Sequence, residues 1–561
     1  MTSLTEEIII QALKNRITNR HQFLSLVRKM ANEKKLTIPS IAQLRQAYLH
    51  LTATKQISQN KILERILQKR AIRTLSGVAI ITVLTKPYFC PGRCVYCPLE
   101  KGMPKSYLKN EPAAARAYRL NFNPYQQVIE RLRALEANGH PTDKIELIIK
   151  GGSWSVYPWS YQQWFIKRCF EACNNYYRSS QTKETSSLEK LEINEFPNEF
   201  SQILTKALEK EQKKNEKAHH RIVGLTLETR PDLITREEII RLRKLGCTRV
   251  ELGVQHTEDK ILEKIKRGHN LAQVKLATKL LKDAGFKVDY HLMPMLPGTT
   301  PTKDCQMFKM VFEDPNLRPD MIKIYPCTVI KGSELYQWWL QGKYHPYSEK
   351  KLIELLIKVK STLIPFYCRI SRLIRDIPST QIEAGNRITN LREVIQNEMK
   401  KRGLKCPCLR CREVGHQESI KTKNKKLKMF IERYSASGGI EFFLSIEDKK
   451  RQIVYAFCRL RFPSGENLTN IPEIKNAALI RELHTYGHLV PLTREKIITN
   501  YKTVQHTGLG HQLMNKAEEI AQSYGFKKMA VIAGIGVREY YRKLGYRLKG
   551  TYMVKSLKEK T

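Results

Sequence analysis

Six short runs rich in β-branched residues, each followed by a polar loop and a helix-like stretch, limit what this chain can fold into. They are VAIITVL (78–84), KIELIIK (144–150), RIVGLTLE (221–228), TRVELGV (248–254), FKVDYHLM (286–293) and MIKIYP (321–326). The third is followed by REEIIRLRKLG, whose apolar residues recur at helical spacing. Strands that alternate with helices form parallel βαβ units, because a parallel neighbour needs a crossover long enough to hold a helix. The expected fold class is α/β: a partial (β/α)6 barrel over residues 76–375, with its chemistry at the C-terminal ends of the strands. A stretch rich in Lys, Glu and Ser, residues 179–219, reads as a partly helical surface insertion.

The first run leads into TKPYFCPGRCVYCPL, where Cys90, Cys94 and Cys97 form C-x3-C-x2-C. Three thiolates so spaced can hold three irons of a 4Fe-4S cluster and leave the fourth iron open. An open iron can chelate the amino and carboxylate groups of S-adenosylmethionine. The competing reading is a zinc knuckle, but structural zinc asks for four protein ligands. The spacing, Tyr96 before the last cysteine, and the place after the first strand resemble the radical S-adenosylmethionine superfamily. At later strand ends, Gly151-Gly152-Ser153 offers bare backbone to the methionine amino group. Glu228 and Arg230 close the third run, and Glu251, Gly253 and Gln255 lie along the fourth. Taken singly each can be fold-stabilising; as a set at strand ends they are cofactor-binding candidates.

From about Lys426 the pattern changes to antiparallel-looking strands (FFLSIED, IVYAFCRLRF, LIRELHTYG, KMAVIAG) with one strong helix, GHQLMNKAEEIAQSYG. Gln505-His506-Thr507-Gly508-Leu509-Gly510 opens that helix, where backbone N–H groups can bind a pyrophosphate. The order of strand, glycine turn and KMAVIAGIGVREYYRKLGY resembles the GNAT acetyltransferase superfamily. That resemblance implies a GNAT-type domain over 426–561. Glu482, Leu483, His484 and Thr485 would pair with the pantetheine amides, and Gly508 to His511 would take the diphosphate. Tyr540 and Tyr541 would meet the acetyl thioester, with plain aromatic packing as the alternative for one of them. Upstream, in a cysteine-bearing linker at 376–425, Cys406, Cys408 and Cys411 form C-x-C-x2-C with His416 five residues on. Three thiolates and an imidazole would close a structural zinc site, with Cys327 and Cys368 as other sources of the fourth ligand.

Lys and Arg total 98 against 54 Asp and Glu, a net charge of +44. Such an excess suits a polyanion partner; generically basic surfaces are the plain alternative. Residues 1–75 read as helical and carry 14 Lys or Arg against 4 acidic residues, which suits a tRNA-gripping segment. No run reaches about 18 apolar residues, and the 13 cysteines include two metal-type clusters, so a cytoplasmic protein without a membrane span is expected.

The longer stretches CVYCP, YLKNEPAAARAYRLNFNPYQQ, DKIELIIKGGS, LTLETRPD, CTRVELGVQ, KIYPCTVIKGSELY, RLIRDIP, CREVGHQE, IRELHTYG, QHTGLGHQLM and YYRKLGYRLKGTYMVK run from about Cys90 to Lys555. Together they resemble the Elongator catalytic subunit family. The resemblance implies an acetyl-CoA-dependent enzyme in which a 5′-deoxyadenosyl radical takes a hydrogen from the acetyl methyl group. The carbon radical then adds to carbon 5 of the tRNA wobble uridine, and thioester hydrolysis leaves 5-carboxymethyluridine. It implies that Lys144 is linked to acetyl-CoA, and that the partners are the tRNA anticodon stem-loop, an external electron donor, and Elongator-like subunits or a second copy. The short C-x3-C spacing and the full second cysteine cluster imply a member that works without the other subunits. Lys401, Arg402, Arg410 and Arg412 are candidate phosphate contacts. A protein lysine acetyltransferase, with the barrel as a substrate platform, is the alternative activity. A tRNA-binding scaffold with dead sites is disfavoured because the cysteine triad and the glycine turn are both intact.

Overall fold

The six β-branched runs form parallel strands β1 (Ala79–Leu84), β2 (Lys144–Lys150), β3 (Arg221–Thr229), β4 (Arg249–Gln255), β5 (Lys287–Leu292) and β6 (Met321–Ile324). The computed structural model describes residues 3–68, 74, 76–178, 191–196, 198–416, 427–466, 469–486 and 508–557. A seventh strand, β7 (Arg369–Arg372), pairs in parallel with β6, so the sheet runs in order from β1 to β7. The expectation of six strands is one short. The sequence of β7, Arg-Ile-Ser-Arg, holds one apolar residue and carries no strand signal. Among the described residues β1 and β7 do not pair, so the barrel stays open along that seam.

The crossover between β2 and β3 corrects the reading of 179–219 as a surface insertion. Helix Ser201–Asn215 buries Leu204 and Leu208, and Gln163 on helix Trp159–Asn174 donates to the Ser201 carbonyl at 3.1 Å. This part is therefore built into the barrel; residues 179–190 lie outside the described residues. The cysteine-bearing region is no loose linker either, since Leu391, Ile395 and Met399 of helix Leu391–Lys401 join the barrel core.

A second sheet comprises β8 (Leu427–Ala436), β9 (Gly439–Asp448), β10 (Val454–Phe462), β11 (Ala478–Thr485), β12 (Lys528–Val531), β13 (Arg547–Lys549) and β14 (Tyr552–Ser556). Its order is β13-β14-β12-β11-β10-β9-β8, antiparallel except for the β11–β12 pair. Helix Leu509–Ser523 covers one face through Leu513, Met514 and Ala517. The other face shares the barrel's core through Phe443, Phe457, Leu479 and Ile532. Pairing between β11 and β12 stops at Ile480–Val531, although β11 continues to Thr485, so the sheet splays there.

A β-bulge at Arg481 sets which side chains face the barrel. Arg461 opposes Leu479 and Leu460 opposes Ile480, but Arg459 opposes Glu482, leaving Arg481 as the extra residue. Arg481 and Glu482 consequently both face the barrel. Arg459, Arg461 and Arg481 are fully buried there. Arg461 donates to Asp283 (2.6 Å) and Glu441 (3.0 Å), and Arg481 pairs with Asp320 and with Glu441 (3.0 Å). The N-terminal residues form helices Leu4–Lys14, Arg20–Glu33, Ile41–Ala53 and Lys61–Ile66 around their own core of Ile8, Phe23, Leu44 and Tyr48. No helix among the described residues is long and apolar enough to cross a membrane.

Candidate active site

Alternate residues of the barrel strands line a cavity of about 780 Å³. Its lining includes Cys90, Cys94 and Cys97 beyond the C-terminal end of β1, and Glu482, His484 and Tyr486 of the second sheet at the opposite end. The cavity thus runs the length of the barrel, with the second sheet as its floor.

The segment leading into the cysteine loop alternates. Pro87, Phe89, Pro91 and Arg93 are exposed, while Tyr88, Cys90, Gly92 and Cys94 turn inward. Val95 anchors the loop, its N–H donating to the Ile265 carbonyl (3.1 Å) and its carbonyl accepting from Leu335 (2.7 Å). Arg267, missed by the sequence reading, donates to Cys94 Sγ at 3.4 Å and to the Gly253 carbonyl at 2.6 Å. A hydrogen bond from the Cys97 thiol, and then the Arg267 charge, favour the Cys94 thiolate. Arg230 lies alongside, its Nε and Nη2 on Asp232 and its buried Nη1 without a partner. A Cβ on Gly92 would sit 2.3 Å from that Nη1, so a larger residue there would displace the guanidinium. Burial, together with the charges of Arg267 and Arg230, pushes His269 down to about 3 and keeps it neutral.

This end of the cavity suits an anionic group. It buries more positive charge than Asp232 balances, and an uncompensated buried charge is costly. The three sulfurs are not gathered within 4.8 Å of one another, as those of the second cysteine cluster are. Gly152, at φ +109°, has open space where a Cβ would be and lines the cavity. At Gly151 a Cβ would meet Thr85, so the close packing there requires glycine. Gln255, at φ +69°, lines the same wall, and its buried Oε1 has no partner.

Midway along the barrel, Lys150 bridges Glu228 (2.9 Å) and Glu251 (3.2 Å). His291 reaches Glu251 with Nε2 at 3.0 Å and Glu228 with Nδ1 at 3.5 Å, and Lys323 pairs with Glu251. Burial would raise Glu228, but Lys150 and His291 outweigh it and hold the carboxyl ionised. Glu228 lines the cavity. Glu251 is fully buried beneath it; two lysines and a histidine take its Oε2, while its Oε1 has no hydrogen-bond partner among the described residues. The sequence signal for Lys150, His291 and Lys323 was a charged residue inside an apolar run.

At the floor, β11 presents two faces. Glu482 accepts from Arg459 (2.8 Å) and Lys287 (3.4 Å), and His484 Nε2 donates to the Ser76 carbonyl (3.0 Å). Leu483 and Thr485 point the other way: a Cβ on Gly510 would lie 3.8 Å from each and 2.8 Å from the Tyr540 hydroxyl. Gly508 caps the helix at φ +83° with no side-chain cap, leaving the first N–H groups for a ligand. Leu509 is buried, and His511 pairs with Asn515 at 3.1 Å. Gln505, His506 and Thr507 lie outside the described residues. Tyr541 joins the core of the second sheet beside Tyr546, so it is the tyrosine that packs. Lys144 begins β2 at the end nearer the second sheet; it does not line the cavity, and burial lowers its pKa.

The sulfurs of Cys406, Cys408 and Cys411 lie within 4.8 Å of one another. Sulfurs sharing one tetrahedral zinc, at about 2.3 Å each, are separated by ~3.8 Å. His416 does not join them; its Nε2 pairs with Glu413 at 2.8 Å. Nor do Cys327 or Cys368 join within that distance. Buried Lys360 sits 3.8 Å from Cys411 Sγ. Of the four basic residues expected to touch phosphate, Arg412 is buried on Glu447, and Arg402 and Lys401 face acidic partners. Arg410 alone lines the cavity, beside Arg369, Arg372 and Arg375.

Residues 197–311 match the model of the Radical SAM superfamily, and residues 319–401 that of the Radical_SAM C-terminal domain. The tRNA uridine(34) acetyltransferase of Methanocaldococcus jannaschii is 46% identical over 509 residues, covering 89% of this chain and 88% of that protein. Elongator complex protein 3 of Homo sapiens is 37% identical over 519 residues, covering 89% and 87%. The solved structure of archaeal Methanocaldococcus infernus Elp3 with an N-terminal deletion covers 86% of this chain and 100% of its own, at 43% identity and a TM-score of 0.70. With the cysteine loop, the barrel cavity and these relatives in agreement, the chain belongs to the radical SAM family of Elongator complex protein 3 and tRNA uridine(34) acetyltransferases.

Proposed function

We propose that this chain modifies the wobble uridine of tRNA, attaching a carboxymethyl group built from acetyl-CoA to carbon 5. One observation carries the reading: a single cavity joins the cysteine triad to β11, and the far face of β11 meets the glycine turn. A 4Fe-4S cluster with S-adenosylmethionine supplies hydrogen-atom abstraction, and acetyl-CoA supplies the two carbons. Cys90, Cys94 and Cys97 hold the cluster, and Gly152, Arg230 and Gln255 face S-adenosylmethionine. The splayed edge of β11 takes the pantetheine, the helix at Leu509 takes the pyrophosphate, and Tyr540 OH donates to the thioester carbonyl oxygen. Lys150 and Glu228 orient the base within the barrel, and Arg372, Arg375 and Arg410 meet phosphates at the cavity wall. The N-terminal helices extend that basic surface along the tRNA.

The test is anaerobic incubation of cluster-reconstituted protein with tRNA, acetyl-CoA, S-adenosylmethionine and a reductant, followed by nucleoside mass spectrometry. Carboxymethylated uridine is expected. Unmodified tRNA beside acetylated protein lysines would favour the lysine acetyltransferase reading. Gly510→Leu tests the acetyl-CoA end separately, because its side chain would fill the space between Tyr540, Leu483 and Thr485. Charge-assisted hydrogen bonds are worth ~1.5–3 kcal/mol each, so calorimetry should show affinity falling by about ten-fold or more. Cys406, Cys408 and Cys411 would supply three of the four ligands of a structural zinc. Cys408→Ser should reduce zinc to background in elemental analysis and lower the thermal midpoint, whereas full zinc content would remove this assignment.

A further inference from the structure

We infer that Arg267, with Arg230 beside it, sets the reduction potential of the iron–sulfur cluster, making it easier to reduce through positive charge and an N–H donor placed on Cys94. This rests on the reading that the cysteine triad holds such a cluster. The step concerned is the arrival of one electron from an external low-potential donor; no bond forms or breaks in it. Reduction makes the cluster more negative, so every buried cation beside it favours the reduced form.

The placement of Arg267 serves this role more than it serves the fold. Among the described residues its hydrogen bonds go to Cys94 Sγ and the Gly253 carbonyl and to no carboxylate. A guanidinium buried among apolar residues for stability alone would be paired with a carboxylate, because the unpaired charge is costly. Gly253 makes room for it: a Cβ there would lie 2.4 Å from Arg267 Nη2. The carbonyl of Gly253 then fixes the fork, leaving Nη1 aimed at the sulfur. Arg230 adds a second charge near the same loop. Asp232 takes its Nε and Nη2, but Nη1 is buried, without a partner, and points at Gly92. Cys94 Sγ lies 3.4 Å from the same Gly92 Cβ position that approaches this Nη1. Lys105 completes the ring of cations by donating to the Gly92 carbonyl at 2.5 Å. The neighbouring imidazole of His269 is neutral and adds no charge. Hydrogen bonds to ligating sulfur and nearby charge are the protein's main controls on such potentials.

The test is a redox titration of reconstituted protein against dithionite, followed by electron paramagnetic resonance, with iron and sulfide measured in each sample. Arg267→Gln removes the charge and should make the midpoint more negative. The reduced-to-oxidised ratio at a fixed poise should fall at least about ten-fold, which is ~59 mV for one electron. Arg267→Lys keeps the charge and should recover most of that shift. An unchanged midpoint in Arg267→Gln with a full iron complement overturns the inference. If that variant holds no iron, Arg230→Gln carries the test: a smaller shift in the same direction is expected, and no shift overturns it. A wild-type protein that takes up no iron would instead overturn the cluster assignment itself.

Discussion

Cys94→Ala removes uridine modification completely while acetyl-CoA binding stays at the wild-type level. Under the proposed function the two outcomes separate, because the residues it assigns to the two chemistries lie on different sides of β11. Cys94 is buried at the cavity end lined by Arg230 and Arg267, whereas Leu483, Thr485, Gly510 and Tyr540 converge on the opposite face of the strand. Losing Cys94 would leave two cysteines to hold the cluster and Arg267 without its thiolate partner. No contact among Leu483, Gly510 and Tyr540 involves the cysteine loop. Nucleoside mass spectrometry reads the first result and calorimetry with acetyl-CoA the second. Residual modification in Cys94→Ala would mean that another group holds the cluster. Lost acetyl-CoA binding would mean that the two ends are coupled through the barrel.

Arg481→Met costs ~3–5 kcal/mol of stability, the usual penalty for removing one partner of a buried ion pair. Arg481 is fully buried and holds Asp320 of the barrel and Glu441 of the second sheet at once. Its loss takes the bidentate partner from Asp320 and leaves Lys282 and Arg459 near Asp320 and Lys282 and Arg461 near Glu441. Urea unfolding should show a lower midpoint, and hydrogen exchange should rise first in β10 and β11. A change confined to the N-terminal helices would contradict the account. The same interface predicts acid sensitivity. Burial would raise Glu482, but Lys287 and Arg459 outweigh it and hold the carboxyl at about 2, against an ordinary value of 4.5. A carboxyl depressed in the folded state contributes stability that is complete above its unfolded pKa and lost as pH falls through the folded one. Stability should therefore decline from about pH 4.5 towards 2, and Glu482→Gln should flatten that decline. An identical slope in the variant would remove Glu482 from the explanation.

How much of this was legible in the sequence depended on whether a residue's partners were near it in the chain. The six runs had enough β-branched residues to declare themselves, and each became a strand within a residue or two of its expected limits. The four-residue strand β7 did not, because its pairing with β6, more than forty positions earlier, makes it a strand. Helix Ser201–Asn215 was hidden by its charge, since only Leu204 and Leu208 of its apolar residues are buried. At the site, the cysteine loop and the glycine turn could be read because their spacing is local. Arg267 could not: nothing in Lys266-Arg267-Gly268-His269 announces a thiolate 173 positions away. Glu251 was legible only in part. Its place on β4 is where a cofactor ligand would sit, and only the fold shows that Lys150, Lys323 and His291 already surround it. The two faces of β11 likewise follow from the bulge at Arg481, which no periodicity reveals.

The most direct measurement is the fate of the acetyl carbons. Reconstituted protein would be incubated anaerobically with tRNA, S-adenosylmethionine, a reductant and acetyl-CoA labelled with carbon-13 at both acetyl positions. The modified uridine would then be isolated and weighed. The account predicts that both labelled carbons appear in the carboxymethyl group of the wobble uridine, and that the product vanishes in Cys94→Ala. A modified uridine carrying no label, or labelled product formed equally well by Cys94→Ala, would contradict it.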